Sequence, residues 1–195
     1  EGAAIAGGCC GTNPEFIKKL VQKTGAKVQG LAVPPRQVHK SVITSGTRLV
    51  EFGGGNAPVL IGERINPTGK KKLKQALKDN DIAYILNEAL TQEEKGAQVL
   101  DVNVGLPEID ECAMMQTVIK EVQAVTDLPL QIDTSDPVTM EKALRIYNGK
   151  PLINSVNGKQ EVMKQIFPLV KKYGGMVIAL ALDEQGIPPT AQGRI

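Results

Sequence analysis

From residue 59 onward, short apolar runs alternate with stretches of helical periodicity, and this alternation restricts the possible folds more than any other feature. The apolar runs are 59–63, 99–103, 130–133, 152–156 and 176–182. Successive runs lie roughly 20 to 40 residues apart, which leaves room for one helical crossover between each pair. Parallel strands that are buried on both faces have this apolar composition. The pattern therefore predicts an α/β fold with a parallel sheet built from βαβ units.

The stretches between the apolar runs carry helix signals. A helical stretch that is lysine-rich at its start extends to about Lys95, where Gly96 ends it. Further helices are predicted at 110–125, at 137–147, which starts on a favourable proline, and at 160–173. The lysines of the first stretch are expected to form a solvated helix face: Lys70, Lys71, Lys72, Lys74 and Lys78.

The first 29 residues form a separate βα pattern. A strand-like opening at 3–6 runs into Gly-Gly-Cys-Cys-Gly at 7–11. A helix from Pro14 to Gly25 follows, with Thr12 or Asn13 as its cap.

The stretch 30–57 has a different composition, with paired prolines and three consecutive glycines. It includes a predicted hairpin of 42–44 against 48–52, which turns at Ser45-Gly46. We interpret the whole stretch as an interdomain connector. The predicted division of the chain is therefore 1–29, 30–57 and 58–195.

Charge and composition exclude several classes of protein. Lys and Arg number 23 and Asp and Glu number 21, so the net charge is only +2, which argues against a nucleic-acid-binding protein. The longest clean apolar run has seven residues, 176–182, and is far too short to cross a membrane. The single histidine, His39, excludes a multi-histidine metal site within the chain.

The cysteines and the two ends of the chain indicate its context. Three cysteines, two of them adjacent, do not form a disulfide framework, so we expect a reducing, cytoplasmic compartment. The chain begins with Glu1 and has no signal-peptide pattern, and its last residues carry no helix-stop signal. We therefore expect it to be a segment of a longer polypeptide.

Polar side chains stand at the end of every predicted strand of the sheet. In parallel α/β folds the carboxyl ends of the strands form the ligand-binding face. The alternative is that each side chain caps the following helix, but Ser135 or Asp136 already offers a cap beside Asp133. The pattern favours a shared binding site over capping. The residues concerned are Glu63, Asn66, Asp101, Asn103, Asp133, Asn154, Asn157 and Asp183.

The chemistry of these side chains restricts the ligand. They are acids and amides, and Arg64 is the only cation in the immediate strand-end motifs. A phosphate would require a glycine-rich turn that opens a helix, whereas Gly53–Gly55 precedes a strand. An uncharged heterocycle with an amino group beside a ring N–H fits better, because one carboxylate accepts from both donors. A divalent cation is the alternative, less favoured because amides are mixed among the acids.

Cys9 and Cys10 form a second candidate site. The flanking glycines permit the backbone turn that would let both thiols face one ion. Two thiolates are an incomplete zinc shell, because catalytic zinc sites use about three protein ligands. Cys112 is a poor third ligand, because it lies on a helix of the other pattern. The alternative is a pair of buried apolar thiols.

Taken together, the motifs resemble two known barrels in tandem. Residues 5–12 resemble the last strand of the zinc-dependent homocysteine-binding barrel. The motifs at 61–66, 100–105, 131–135 and 153–157 resemble the pterin-binding barrel of methyltetrahydrofolate methyltransferases. In this order the chain is similar to the cobalamin-dependent methionine synthase family. The resemblance implies the last βα unit of one TIM (β/α)8 barrel, a connector, and strands one to five of a second.

The resemblance also implies roles for individual residues. Glu63, Asp133 and Asn154 would contact methyltetrahydrofolate, with Asp133 and Asn154 positioning the ring rather than breaking bonds. Asn66, Asp101 and Asn103 belong to the same motifs. Cys9 and Cys10 would supply two of three zinc-binding thiolates. The third ligand and the cobalamin-binding module would lie elsewhere.

The reaction implied is methyl transfer from N5-methyltetrahydrofolate by way of cobalamin to zinc-bound homocysteine, which gives methionine and tetrahydrofolate. A methyltetrahydrofolate:corrinoid protein methyltransferase and a non-catalytic folate-binding fragment are the alternatives, with dihydropteroate synthase as a more distant relative of the pterin barrel. We expect the isolated segment to be inactive, because five barrel strands leave open edges.

Overall fold

The computed structural model describes residues 6–28, 40–53, 55 and 57–194. The chain divides into two compact units, Glu1–Val38 and His39–Ile195. No helix in the described ranges has the length and apolar character needed to cross a membrane.

The first unit contains helix α1 (Pro14–Val28). Asn13 caps it, since its Oδ1 accepts a hydrogen bond from the Phe16 N–H at 3.1 Å. The prediction that the helix ends at Gly25 is wrong by three residues, because Gly25 does not adopt the left-handed conformation in which a glycine ends a helix. The predicted strand at 3–6 lies outside the described residues except for Ala6, which is not in a strand.

The described part of the second unit contains seven strands and five α-helices. The strands are β1 (Ser41–Thr44), β2 (Leu49–Phe52), β3 (Ile61–Ile65), β4 (Val99–Val102), β5 (Leu130–Asp133), β6 (Leu152–Asn157) and β7 (Met176–Leu180). The helices are α2 (Lys71–Lys78), α3 (Ile82–Glu94), α4 (Glu111–Val125), α5 (Pro137–Ile146) and α6 (Gln160–Tyr173). A short 3-10 helix at Gln192–Arg194 follows.

Five strands form one parallel sheet in the order β3-β4-β5-β6-β7, which is also their order in the chain. Helical crossovers join them, as in consecutive units of a (β/α)8 barrel. This confirms the predicted α/β fold and parallel sheet. Alternate strand residues, such as Leu100 and Ile132, pack in one large core with helix residues that include Met115 and Met140.

The antiparallel hairpin β1–β2 covers the amino-terminal ends of the strands. Ile43 and Val50 of the hairpin form a second core with Val99 and Leu152, which are the first residues of β4 and β6. The Tyr147 hydroxyl donates to the Thr44 carbonyl at 2.8 Å and accepts from the Leu130 N–H at 3.0 Å. The hairpin was predicted correctly, but it packs with the sheet as part of the second unit. It thereby closes the end of the sheet opposite the strand ends that carry the polar residues.

The lysine-rich helical stretch is two helices, not one. α2 ends at Lys78 and α3 begins at Ile82, with Asp79-Asn80-Asp81 between them. Asn80 has φ 54°, a left-handed conformation that asparagine tolerates better than most residues. Asp81 Oδ1 then caps α3 by accepting from the Tyr84 N–H at 3.0 Å. Strand β3 begins at Ile61, two residues later than predicted.

Candidate functional site

The alternation of side chains along β4, β5 and β6 builds a layered inner face. Val99 and Leu152 form its apolar floor with the hairpin. Two residues further along, Asp101 is paired in register with Gln131. Beyond these, Asp133, the last residue of β5, is paired in register with Asn154, which lies within β6. The inner face is therefore apolar near the amino-terminal ends of the strands and polar toward their carboxyl ends. We call the polar part, which contains Asp101, Asn103, Asp133 and Asn154, the mouth.

Asn103 and Asp133 are joined at this mouth. The Asn103 Nδ2 donates to Asp133 Oδ2 at 3.0 Å, and Asn103 Oδ1 accepts from the Gly105 N–H at 2.9 Å. Both ends of the asparagine amide are therefore fixed. Asp133 Oδ1 accepts no hydrogen bond from any described residue, so this oxygen remains open to a ligand. Asp136 caps α5 through the N–H groups of Val138 and Thr139, which leaves Asp133 free of that task, as predicted.

Asp101 is the most deeply buried carboxyl of the mouth. Only 1% of the residue is exposed, the Gln131 amide donates to its Oδ1, and its Oδ2 has no hydrogen-bond partner among the described residues. Burial raises the pKa of Asp101 to about 6. The amides of Gln131 and Asn154 oppose this rise in pKa, whereas the negative charges of Asp133 and Glu63 add to it.

The pKa of Asp133 is also raised, chiefly by burial, while the hydrogen bond from Asn103 lowers it. The charges of Glu63 and Glu111 raise it further. Glu111, in the first turn of α4, accepts from the Thr134 hydroxyl at 2.5 Å. Sequence reasoning missed Glu111, because an acidic residue in the first turn of a helix is ordinary. The mouth is therefore rich in negative charge.

An irregularity in β3 places Glu63 at this mouth. The register between β3 and β4 shifts between Gly62 and Ile65. There the Arg64 N–H donates to the buried Gln92 Oε1 at 2.7 Å. A Cβ at position 62 would lie 2.6 Å from the same oxygen, so any larger residue would displace the Gln92 side chain. The Glu63 side chain is 61% exposed, and its Oε2 lies 3.7 Å from Lys70 Nζ.

Three other strand-end residues accept hydrogen bonds from backbone N–H groups two residues further along the chain. Asn66 Oδ1 accepts from the Thr68 N–H at 2.9 Å and shapes the loop after β3. Asn157 Oδ1 accepts from Lys159 N, and Asp183 Oδ1 accepts from Gln185 N. These bonds shape the loops after the strands, and none of the three side chains caps the following helix. The structure brings together Asp101, Asn103, Asp133 and Asn154, with Glu63 close enough for its charge to act on both aspartates.

A polar cleft of about 160 Å³ adjoins Asp133 and Asn154. Its other walls include side chains from the loop after β5 and from α6: Ser135, Gln165 and Ile166. The cleft enlarges the space available to a ligand at the mouth.

The two adjacent cysteines lie in the turn before α1. Both are exposed, and their Sγ atoms are 3.9 Å apart, so they are free thiols. The Thr12 hydroxyl accepts from the Cys9 N–H at 2.9 Å and holds the turn. The alternative of buried apolar thiols is wrong. Among the ranges given above, no three His, Cys, Asp or Glu side chains cluster closely enough to hold a metal ion.

Two solved structures are similar to part of this chain. Dihydropteroate synthase from Xanthomonas albilineans, in complex with 7,8-dihydropteroate, has 23% sequence identity and a TM-score of 0.43, over 66% of this chain and 48% of that chain. A dihydropteroate synthetase solved with a product has 18% identity and a TM-score of 0.42, over 77% of this chain and 54% of that chain.

Sequence comparison identifies the family. The chain is 30% identical to methionine synthase of Mycobacterium tuberculosis and 29% identical to that of Mycobacterium leprae, in each case over 100% of this chain. It spans 16% and 17% of the lengths of these relatives, and its similarity is therefore to one segment of methionine synthase. The family described as pterin binding enzyme matches residues 62–194. The chain belongs to the pterin binding enzyme family.

Proposed function

We propose that this segment binds the pteridine ring of N5-methyltetrahydrofolate within a cobalamin-dependent methionine synthase. The complete reaction would transfer the methyl group by way of cobalamin to zinc-bound homocysteine, giving methionine and tetrahydrofolate. A cytoplasmic location, suggested by the free cysteines, belongs to the same proposal. The observation that carries the proposal is the Asn103–Asp133 hydrogen bond, which leaves Asp133 Oδ1 open beside Asn154.

The hydrogen-bonding groups of a pteridine match this arrangement. Its 2-amino group and neighbouring ring N–H are parallel donors, which one carboxylate can accept together. Asn154 offers a donor and an acceptor alongside. The charges of Glu63 and Glu111 make the mouth a poor site for an anion and a good one for a ring that presents N–H groups.

The residues of the mouth position the substrate rather than break a bond. The N5 amine of the substrate is a poor leaving group until it gains a proton, and the methyl group must face its acceptor. The Asn103 amide, which is held at both ends, and the Asn154 amide beside Asp133 would restrict rotation of the ring in its plane. This orientation is the contribution to rate that we assign to the segment.

The thiol pair fits part of a zinc site. Four ligands at 2.3 Å in tetrahedral geometry place neighbouring sulfurs about 3.8 Å apart, and the Cys9 and Cys10 Sγ atoms are 3.9 Å apart. Cys9 and Cys10 would therefore hold two positions, with the remaining ligands supplied from outside the described residues. When bound, zinc would lower the pKa of the homocysteine thiol and cobalamin would accept the methyl group from the folate.

Ligand titration of the full-length protein tests the proposal. We expect N5-methyltetrahydrofolate to bind and folate-dependent methionine formation from homocysteine to require cobalamin. Methyl transfer to an added corrinoid protein without methionine formation would instead support the methyltransferase alternative. Folate binding without any transfer would support the non-catalytic alternative. Failure to bind any reduced folate would refute all three.

A further inference from the structure

The two adjacent cysteines lie in a tight turn that holds their side chains close together. The Thr12 N–H donates to the Cys9 carbonyl oxygen at 3.0 Å, so Cys10 and Gly11 are the central residues of a β-turn. Gly11 has φ 80°, the positive φ that a type II turn requires at its third position. The Thr12 hydroxyl also accepts from the Cys9 N–H at 2.9 Å. Two hydrogen bonds between Cys9 and Thr12 therefore close the turn.

The sulfur atoms of this pair are free to react with each other. The Cys9 and Cys10 Sγ atoms are 3.9 Å apart, and both residues are exposed. Apart from the contact between them, neither sulfur forms a hydrogen bond within the described ranges. A disulfide has an S–S distance of about 2.05 Å. Its formation here would need rotation of the two side chains and adjustment of the peptide unit between them, but no movement of distant parts of the chain.

A disulfide between these two residues would be easy to reduce. Adjacent Cα atoms lie about 3.8 Å apart, below the usual range of about 4.4–6.8 Å for disulfides. Such strain makes a disulfide more reducible, and strained or exposed disulfides are the labile and regulatory ones. The pair is therefore unsuited to a permanent cross-link. It suits a bond that forms under oxidising conditions and opens again in the presence of thiols.

We propose that Cys9 and Cys10 form a reversible vicinal disulfide when a hydroperoxide oxidises the metal-free pair. The sulfur of one cysteine attacks an oxygen of hydrogen peroxide, which breaks the O–O bond, releases one water and leaves a sulfenic acid. The sulfur of the other cysteine then attacks the sulfenic sulfur and displaces its hydroxyl group as a second water. The two cysteines lose two hydrogen atoms in total, and the peroxide is reduced to water.

Disulfide formation and zinc binding would exclude each other. Zinc with four ligands at about 2.3 Å holds neighbouring sulfurs about 3.8 Å apart, whereas the disulfide brings them to about 2.05 Å and leaves no thiolate to bind the metal. This exclusion rests on the proposed function, because it assumes that the pair belongs to the zinc site; the disulfide itself does not. A site that admits the homocysteine thiol also admits hydrogen peroxide, which is smaller. Oxidation would therefore stop methyl transfer to homocysteine until the pair is reduced.

The test treats the full-length protein, with zinc removed by a chelator, with an equimolar amount of hydrogen peroxide. Free thiols are then alkylated, and mass spectrometry of a digest measures the peptide that contains Cys9 and Cys10. In most molecules we expect this peptide to carry no alkyl group and to be lighter by two hydrogen atoms. Treatment with glutathione should restore two alkylated cysteines. Cys112→Ser is the control and should give the same product, whereas Cys9→Ser and Cys10→Ser should not.

The outcomes separate this inference from the proposed function. A Cys9–Cys10 disulfide in a protein that does not bind zinc would support the inference and contradict the zinc site. In a zinc-loaded protein, release of zinc in proportion to disulfide formation would support both. Zinc binding with cysteines that still alkylate after peroxide, that gain only oxygen, or that pair with a different cysteine would overturn the inference and leave the proposed function intact. A disulfide that resists glutathione would overturn its reversibility.

Discussion

Asn103 donates a hydrogen bond to Asp133 across the carboxyl ends of two neighbouring parallel strands, with Nδ2 and Oδ2 3.0 Å apart. This contact fixes the orientation of the aspartate and leaves its second oxygen facing the mouth. It also depends on the backbone, because the Gly105 N–H holds the other end of the asparagine amide. The recognition chemistry proposed above depends on this pair.

Replacing Asp133 with alanine should weaken binding of N5-methyltetrahydrofolate by about 1–3 kcal/mol, because a charged acceptor for two substrate donors is lost. Isothermal titration of the full-length protein measures the change. Glu121→Ala, on the exposed surface of α4, is the control and should bind as the wild type does. Unchanged affinity in Asp133→Ala would contradict the proposed role.

Replacing Asp101 with asparagine should stabilise the protein at neutral pH. The pKa of Asp101 is about 6 in the folded state, above its ordinary 3.8, so the folded state binds the proton more tightly. The wild type therefore loses stability as pH rises from about 4 to about 6, by about 2–3 kcal/mol in total, and Asp101→Asn should not. The two proteins should differ in melting temperature at pH 7 and converge below pH 4. A difference that persists at low pH would contradict burial of the charge as its cause.

Removing the Tyr147 hydroxyl should loosen the hairpin without affecting the mouth. In Tyr147→Phe the buried Leu130 N–H and Thr44 carbonyl lose their shared partner, which should cost about 1–3 kcal/mol of stability. Thermal melting reports the loss, and folate titration should show no change. Tyr173→Phe, whose hydroxyl is only part-buried, is the matched control. Equal melting temperatures for the two variants would contradict the role of Tyr147.

Replacing either Cys9 or Cys10 with serine should reduce the zinc content of the full-length protein, because each would hold one position of the shell. Metal analysis of the purified protein measures this directly. Cys112→Ser is the control, since Cys112 lies on α4 and accepts only from its neighbour Gln116. Full zinc content in both the Cys9 and Cys10 variants would contradict the assignment.

Much of the sheet could be predicted because its strands are short, apolar and separated by helices. The first and last residues of β5 and of α6 were predicted correctly for that reason. The break between α2 and α3 was missed, because apolar positions continue at helical spacing on both sides of Asp79-Asn80-Asp81 and conceal the turn. The packing of the hairpin under the sheet depends on contacts of Ile43 with residues more than fifty positions away, which local patterns do not reveal.

The candidate site was only partly predictable. The rule that ligands lie at the carboxyl ends of parallel strands predicted that Asp133 and Asn154 lie together, and the structure pairs them in register. Gln131 was missed, because a buried polar residue within an apolar strand has no recognisable signal until its partner, Asp101, is known. Asn66 stands at a strand end but forms a bond within its own loop, which only the backbone geometry shows.

The most direct test is a crystal structure of the full-length protein with N5-methyltetrahydrofolate bound. The account predicts the 2-amino group and adjacent ring N–H of the pteridine at about 2.7–2.9 Å from the Asp133 carboxylate, with the Asn154 amide against the same ring. A pteridine bound elsewhere, or an Asp133 carboxylate that contacts only Asn103 and solvent in the complex, would contradict it.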